Sequence, residues 1–437
     1  MLDNLDIGII GVCAALGLIA LRVPIGVALG IVSIVGLWAM TSQQVAWGLI
    51  SATPFDFVGQ WELTAAPMFL FMGYICTTTE ITAGLFNAIR LFLARLPGGL
   101  AVSSVGACAL FAAASGSSVA TAAAMTRIAV PEMLKNNYDK SLATGTIAAS
   151  GTLGSLIPPS VLLVLYGVYA QVSVGQLFVA GFLPGILSAL IYMAMIVCRV
   201  SMKPSLAGAV DLRPTAAERW SAVREVWPLP VLIVAVLGGI FAGIFSPTEA
   251  GAVGTSVAFI IALARGTMSW RALKEALVQT AVSTTSIYII LVGSVFFTRF
   301  LALSGVPTAF ADVILGVSSE SWWIIFAVAV IYIVLGMFID SIGLLLLTLP
   351  LMLPLVNGAG LDLVWFGIIV IKLLEIGLVT PPIGLNVYVI KGALGDSVTL
   401  QEVFRGVGWF VAMDLLTLVL LIVFPIIALF LPELMFR

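Results

Sequence analysis

Histidine is missing altogether from this 437-residue sequence, and charged side chains are scarce, at 9% against about 25% in an ordinary globular domain. Without histidine there is no Ser–His nucleophile pair, no imidazole metal ligand and no imidazole proton relay. Neither a Gly-x-Ser-Gly motif nor a paired-aspartate pattern takes its place, so a hydrolase built on Ser115 or Asp340 lacks its partners. The four cysteines (Cys13, Cys76, Cys108, Cys198) are scattered through apolar segments without CxxC spacing. They read as small hydrophobes, not as disulfides or zinc ligands. No basic patch suits nucleic acid, and the net charge of −2 says little by itself.

What fills the sequence instead is apolar: 61% of residues are hydrophobic. A bilayer core about 30 Å thick takes roughly 20 apolar residues per helical span, and such stretches follow one another from Ile7 to Leu431. Too few polar residues exist to cover that surface in water. The N-terminal Met1-Leu2-Asp3-Asn4-Leu5-Asp6 is acidic, unlike a cleaved signal peptide, so the first span is expected to be retained.

Four proline pairs lie at one spacing, 223 residues: Pro24 with Pro247, Pro131 with Pro354, Pro158 with Pro381, and Pro159 with Pro382. Chance supplies roughly half a pair at any one spacing, so the chain reads as a duplication. Candidate spans are 7–21, 23–40, 62–80, a broken 142–170 and 176–198. In the second half they are 228–245, 248–264, 279–298, a broken 363–390 and 406–432. The interrupted stretches 98–134 and 322–360 read as re-entrant hairpins. Arg22, Arg90, Arg95, Lys135, Lys140 and a linker carrying Arg199, Lys203, Arg213, Arg219 and Arg224 then share the cytoplasmic side. Five crossings per half invert the second half, whose Arg265, Arg271, Lys274, Lys391 and Arg405 are cytoplasmic as well; Arg299 is the exception. The expected fold is therefore an all-α polytopic membrane protein: 1–198 as a first repeat, 199–227 as a cytoplasmic linker, and 228–437 as a second, inverted repeat. The stretch 41–61, with Pro54 as a helix breaker, reads as an interfacial arm.

Four segments carry the candidate chemistry. Ser115-Gly116-Ser117-Ser118 sits in the middle of the first hairpin, and Asp340-Ser341-Ile342-Gly343 occupies the same position in the second. Gly151-Thr152-Leu153-Gly154 leads into Pro158-Pro159-Ser160, and Gly377-Leu378-Val379-Thr380 leads into Pro381-Pro382. Unwound backbone at membrane depth is tolerated where it lines a cavity, and its carbonyls are hard ligands for a small cation. The absence of histidine beside abundant hydroxyls points to sodium over protons. A carboxylate at Asp340 is a functional candidate by its cost alone. The spacing matches Asp340 to Ser117, so the two hairpin tips are expected to face one cavity. Lys372 and Glu375, three apart on one helix, read as a structural pair. Asp414 has no charged neighbour in sequence.

Ser246-Pro247-Thr248-Glu249-Ala250 and the two Pro-Pro segments, Gly151 to Ser160 and Glu375 to Gly384, resemble those of one family over essentially the whole chain. It is the large membrane subunit of tripartite ATP-independent periplasmic (TRAP) transporters, in the ion transporter superfamily. The resemblance implies an elevator transporter with two or more coupling Na+ ions and no organic cofactor, in a bacterial inner membrane. It implies a periplasmic protein that delivers an organic acid, and a small four-helix membrane partner, here a separate polypeptide. By motif, one sodium site draws on Ser115, Gly116, Ser118, Gly151 and Gly154, and another on Ser341, Gly343, Gly377 and Thr380. Ser117, Ser160 and Asp340 are expected to face the substrate. The alternative is a stand-alone sodium- or proton-coupled organic-anion symporter of the same superfamily.

Overall fold

A computed structural model describes residues 3–82, 84–208, 214–318 and 320–435; Arg213 of the linker lies outside them. The first half runs through α1 (Asn4–Ala20), α2 (Ile25–Met40), α3 (Gln43–Val58), α4 (Ala65–Thr78), α5 (Leu85–Leu93), α6 (Gly99–Ser115), α7 (Ser118–Lys135), α8 (Lys140–Leu156), α9 (Val161–Ala170) and α10 (Val174–Met202). After these come α11 (Ala216–Glu225), α12 (Pro228–Ile233), α13 (Gly239–Phe241), α14 (Pro247–Ala264), α15 (Trp270–Ser304), α16 (Val306–Val317) and α17 (Ser321–Gly336). The chain closes with α18 (Ser341–Gly358), α19 (Leu363–Val379), α20 (Leu385–Leu394), α21 (Leu400–Val423) and α22 (Ile426–Met435). No strand occurs among the described residues. Among the described residues six helical stretches are long and apolar enough to cross a membrane, with Lys140–Ala170 (α8 and α9) counted as one, and seven if the pair Ala216–Glu225 and Pro228–Phe241, bent by 41°, is one span. The fold is all-α and multi-pass.

The helices sort into two groups by their packing. In one, α2 lies along α15, α4 along α14 and α15, and α1 against α2 and α15. In the other, α8 is enclosed by α6, α7 and α21, while α19 packs on α10, α17, α18 and α21. The groups meet where α4 touches α6 and α9 and where α18 touches α15 and α16. Between them opens a cleft of about 830 Å³, walled by Gln60–Ala65 on one side and the Gly167–Val174 turn on the other. The exposed thiol Cys13 lies on α1 and the exposed Cys198 on α10, whereas Cys76 and Cys108 are buried.

Small residues let the backbones approach, as lipid-embedded helices require in place of a hydrophobic drive. A Cβ added at Gly293 of α15 would lie 2.2 Å from the Gly26 carbonyl oxygen of α2. At the crossing of α8 and α21, a Cβ on Gly406 would lie 1.9 Å from the Ser141 carbonyl oxygen. Helix starts are equally local. Ser246 and Glu249 form a capping box with Pro247 at the first helical position of α14, which gives the Ser-Pro-Thr-Glu segment a plain structural task.

Helix ends recur at the spacing of the prolines. The bounds of α7, Ser118–Lys135, and of α18, Ser341–Gly358, are 223 residues apart at both ends. The same holds for α8, Lys140–Leu156, and α19, Leu363–Val379. One expectation fails: α3 runs straight through Pro54 to Val58, with Ser42 capping its start. Proline removes one helical hydrogen bond, and the remaining turns plus packing on α2 and α15 hold the helix. The span read at 279–298 is the middle of a longer helix, the 35-residue α15, about 52 Å long at 1.5 Å per residue.

Gly406→Ala should force α8 and α21 apart and cost about 1–3 kcal/mol, whereas Gly408→Ala enters open space. Thermal unfolding in detergent should show a lowered midpoint for the first and an unchanged one for the second.

Candidate functional site

Each of the four segments is a place where a helix stops and another starts. Gly116, at φ +61°, ends α6 in the left-handed region, which glycine enters without penalty. The Ser117 hydroxyl then accepts from the Ala120 N–H and caps α7. Ser160 caps α9 from the Leu163 N–H. Asp340 caps α18, its Oδ2 accepting from the Gly343 N–H at 3.0 Å. The fourth start, α20, has no side-chain cap and opens on Gly384 at φ +58°.

The first hairpin tip closes onto the first break. A Cβ on Gly116 would lie 2.6 Å from the Pro159 carbonyl oxygen, and one on Gly154 2.8 Å from the Ser117 backbone. Ser118 Oγ donates to the Thr152 carbonyl at 3.1 Å and pairs with Ser155 Oγ. Ser115 Oγ shares a hydrogen bond of 2.8 Å with Thr121, and Gly151 packs on Ala122. Ser160 Oγ donates to the Ser155 carbonyl. All the residues expected at the first sodium site, with Ser117 and Ser160, are therefore in one cluster. Ser155 belongs to it too, and sequence reasoning passed over it although it lies in the same Gly-Pro segment.

At the second tip and break the expected residues reach different neighbours. Gly377 of α19 rests on Gly336 of α17, where a Cβ would lie 2.9 Å from the Gly336 Cα. The Thr380 hydroxyl donates back to the Ile376 carbonyl at 2.5 Å. The hydroxyl of Ser341 is buried with no hydrogen-bond partner among the described residues. So is Oδ1 of Asn386, whose Nδ2 donates to the Ala148 carbonyl at 3.1 Å. Gly343 packs under Ile25 of α2. Orphaned buried oxygens are rare in folded proteins, and hard uncharged oxygens are what a small monovalent cation takes.

Asp340 lines a cleft of about 380 Å³ with Arg22, Pro24, Ser286 and Phe338. Ser117 is not among the residues that line that cleft. The first hairpin packs along α8 and the second along α19, and α7 of the first also lies against α20, beyond the second break.

Asp414 does have a charged neighbour. Its Oδ1 sits 2.5 Å from Lys372 Nζ, which also reaches Glu375 Oε2 at 3.0 Å and Ser188 Oγ at 3.2 Å. The Tyr192 hydroxyl donates to the same Asp414 oxygen. All three charges are fully buried. Lys372 and Glu375 are a pair, as expected, but within a three-charge cluster joining α10, α19 and α21.

The family model described as "Tripartite ATP-independent periplasmic transporter, DctM component" matches residues 12–427. The chain is 33% identical over 430 residues to the C4-dicarboxylate TRAP transporter large permease protein DctM of Rhodobacter capsulatus, covering 94% of this chain and 96% of that one. It is 31% identical to the sialic acid TRAP transporter large permease protein SiaM of Vibrio cholerae, covering 96% and 97%. In fold it is similar to the solved structure of Neisseria gonorrhoeae MtrF, from a class of antimetabolite efflux pumps. The TM-score there is 0.60 at 13% identity, over 97% of this chain and 95% of that one.

Lys372→Met would strand two buried carboxylates without their ammonium, a change that costs about 3–5 kcal/mol. A large drop in folded, detergent-extractable protein is expected, measured by size-exclusion chromatography and thermal midpoint.

Proposed function

The chain belongs to the DctM family of tripartite ATP-independent periplasmic transporters, and on that premise we propose that it imports an organic acid across the bacterial inner membrane, driven by sodium. It is the permease subunit of an assembly and not an enzyme. A periplasmic binding protein delivers the carboxylate substrate, and a small four-helix membrane subunit completes the machine. The observation that carries this reading is the pairing of two hairpin tips with two broken helices whose ends recur at one spacing. That recurrence supports two repeats of inverted topology, 1–198 and 228–437, joined by a cytoplasmic linker at 199–227.

Sodium is held in the first cluster by Ser115, Gly116, Ser118, Gly151 and Gly154, and in the second by Ser341, Gly343, Gly377 and Thr380. The Ser341 hydroxyl, without a partner among the described residues, supports the second assignment most directly. Bound sodium supplies positive charge beside the helix starts at Ser117, Ser160 and Asp340, where the substrate carboxylate binds. Helix N-termini add to that field. Asp340 accepts from hydroxyls or other donors of the substrate. Two separately packed helix groups with an open cleft between them support an elevator motion, in which the group holding both clusters slides past the group containing α2, α4, α14 and α15.

In proteoliposomes holding the permease, its small subunit and a loaded binding protein, uptake should need an inward sodium gradient and ignore a pH gradient. Full uptake with potassium in place of sodium overturns the coupling. Uptake by the permease alone would favour a stand-alone symporter.

Asparagine caps helices about as well as aspartate, so Asp340→Asn removes the charge and keeps the α18 start. Uptake should be abolished at normal membrane expression. Ser117→Ala should only weaken it, by the roughly 5- to 30-fold that corresponds to about 1–2 kcal/mol for a lost hydroxyl contact. Wild-type uptake by Asp340→Asn would leave the carboxylate as a cap alone.

A further inference from the structure

Replacing a buried ion cluster by well-packed apolar residues is often neutral or stabilising. Stability is therefore a poor account of Lys372, Glu375 and Asp414, and their position is a better one. Glu375 lies two residues before Gly377, where α19 rests on Gly336 and nears its end. At the far side, Tyr192, whose hydroxyl bonds Asp414, stands on α10, which packs along α8 where Thr152 lies. Thr152 stands next to Gly151, and its carbonyl accepts from Ser118 at the first hairpin tip. Buried polar groups thus follow one another from one cluster to the other: Ser118, Thr152, Tyr192, Asp414, Lys372 and Glu375.

Two members of this series occupy equivalent positions. Thr152 and Glu375 are separated by the same 223 residues as Pro158 and Pro381. The charges, by contrast, are not duplicated: at the same spacing Lys372 answers to Ala149 and Asp414 to Ile191. One network serves both broken helices. It also has acceptors to spare, since Glu375 Oε1 and Asp414 Oδ2 have no partner among the described residues. Lys372 and Tyr192 can re-pair with those oxygens if either half-helix shifts, which gives the network two arrangements that either cluster can bias.

We propose that this buried series couples the two cation sites, so that sodium at one raises the affinity of the other. The inference rests on the sodium reading above. Reciprocity then follows, because a coupling free energy acts equally in both directions.

Tyr192→Phe is the sparing variant, since it deletes one hydroxyl. The ring keeps its edge contact with Phe410, 5.3 Å between centroids, and its place 5.8 Å from Lys372 Nζ. Asp414→Asn is the second, keeping size and hydrogen-bonding capacity. Purified full-length protein, with any co-purifying membrane subunit, is titrated with NaCl against KCl at constant ionic strength. The thermal midpoint is followed, and sodium-dependent uptake is measured in parallel. Wild type should respond sigmoidally. Tyr192→Phe should keep its midpoint in potassium, lose the sigmoidal shape, and need about fivefold more sodium for half-effect; Asp414→Asn, with a midpoint in potassium lowered by the charge lost beside Lys372, should lose the sigmoidal shape as well. A sigmoidal response retained by Tyr192→Phe overturns the coupling, as does a wild type that responds to sodium without cooperativity. A wild type indifferent to sodium overturns the sodium reading, and the coupling with it.

Discussion

Backbone polar groups at membrane depth have no water to bond, and every interruption of a helix there must be closed by the protein itself. In this molecule four interruptions are closed in compact ways, three of them by a short side chain at the start of the next helix: Ser117, Ser160 and Asp340. Those caps point toward the same helix ends whose freed groups would hold a cation or an anion. Holding the fold and presenting the site are one task for these residues. A substitution there acts on the cap and on the site together, and for that reason asparagine, which keeps the cap, is the informative replacement at Asp340.

The two clusters are built alike and sealed differently. Residues Ile157 to Ser160 of the first break are all buried, whereas Pro381, Pro382 and Ile383 of the second are exposed. The hydroxyls of the first cluster are bonded to one another and to Thr152; the Ser341 hydroxyl of the second has no partner among the described residues. Repetition of backbone geometry therefore does not carry over into equal packing. The second break lies at the edge of its helix group, and the first is enclosed between α6, α7 and α10.

Much of this was legible in the sequence where it depends on backbone chemistry. Adjacent prolines after Gly154 and after Gly377 had to interrupt α8 and α19, and Asp340, singled out for its cost between apolar runs, stands at the start of α18 as its cap. Pro54 misled, because one proline removes one hydrogen bond and neighbouring helices supply the rest. Asp414 was unreadable for a different reason. Its partner Lys372 is 42 residues away on another helix, and no periodicity reports which faces of α19 and α21 meet. Ser155 was missed within a segment already singled out, since only the fold shows that Ser118 reaches it.

The distribution of thiols has a practical side. Cys13 and Cys198 are the exposed cysteines among the described residues, and they sit on α1 and α10, in different helix groups. Cys76 and Cys108 are shielded inside. The native chain thus carries one outward-facing thiol on each group, open to a lipid-soluble spin label or fluorophore, with no cysteine to engineer in. A distance distribution between those two labels reads displacement of one group against the other directly, while a cysteine-free background would need only four conservative exchanges.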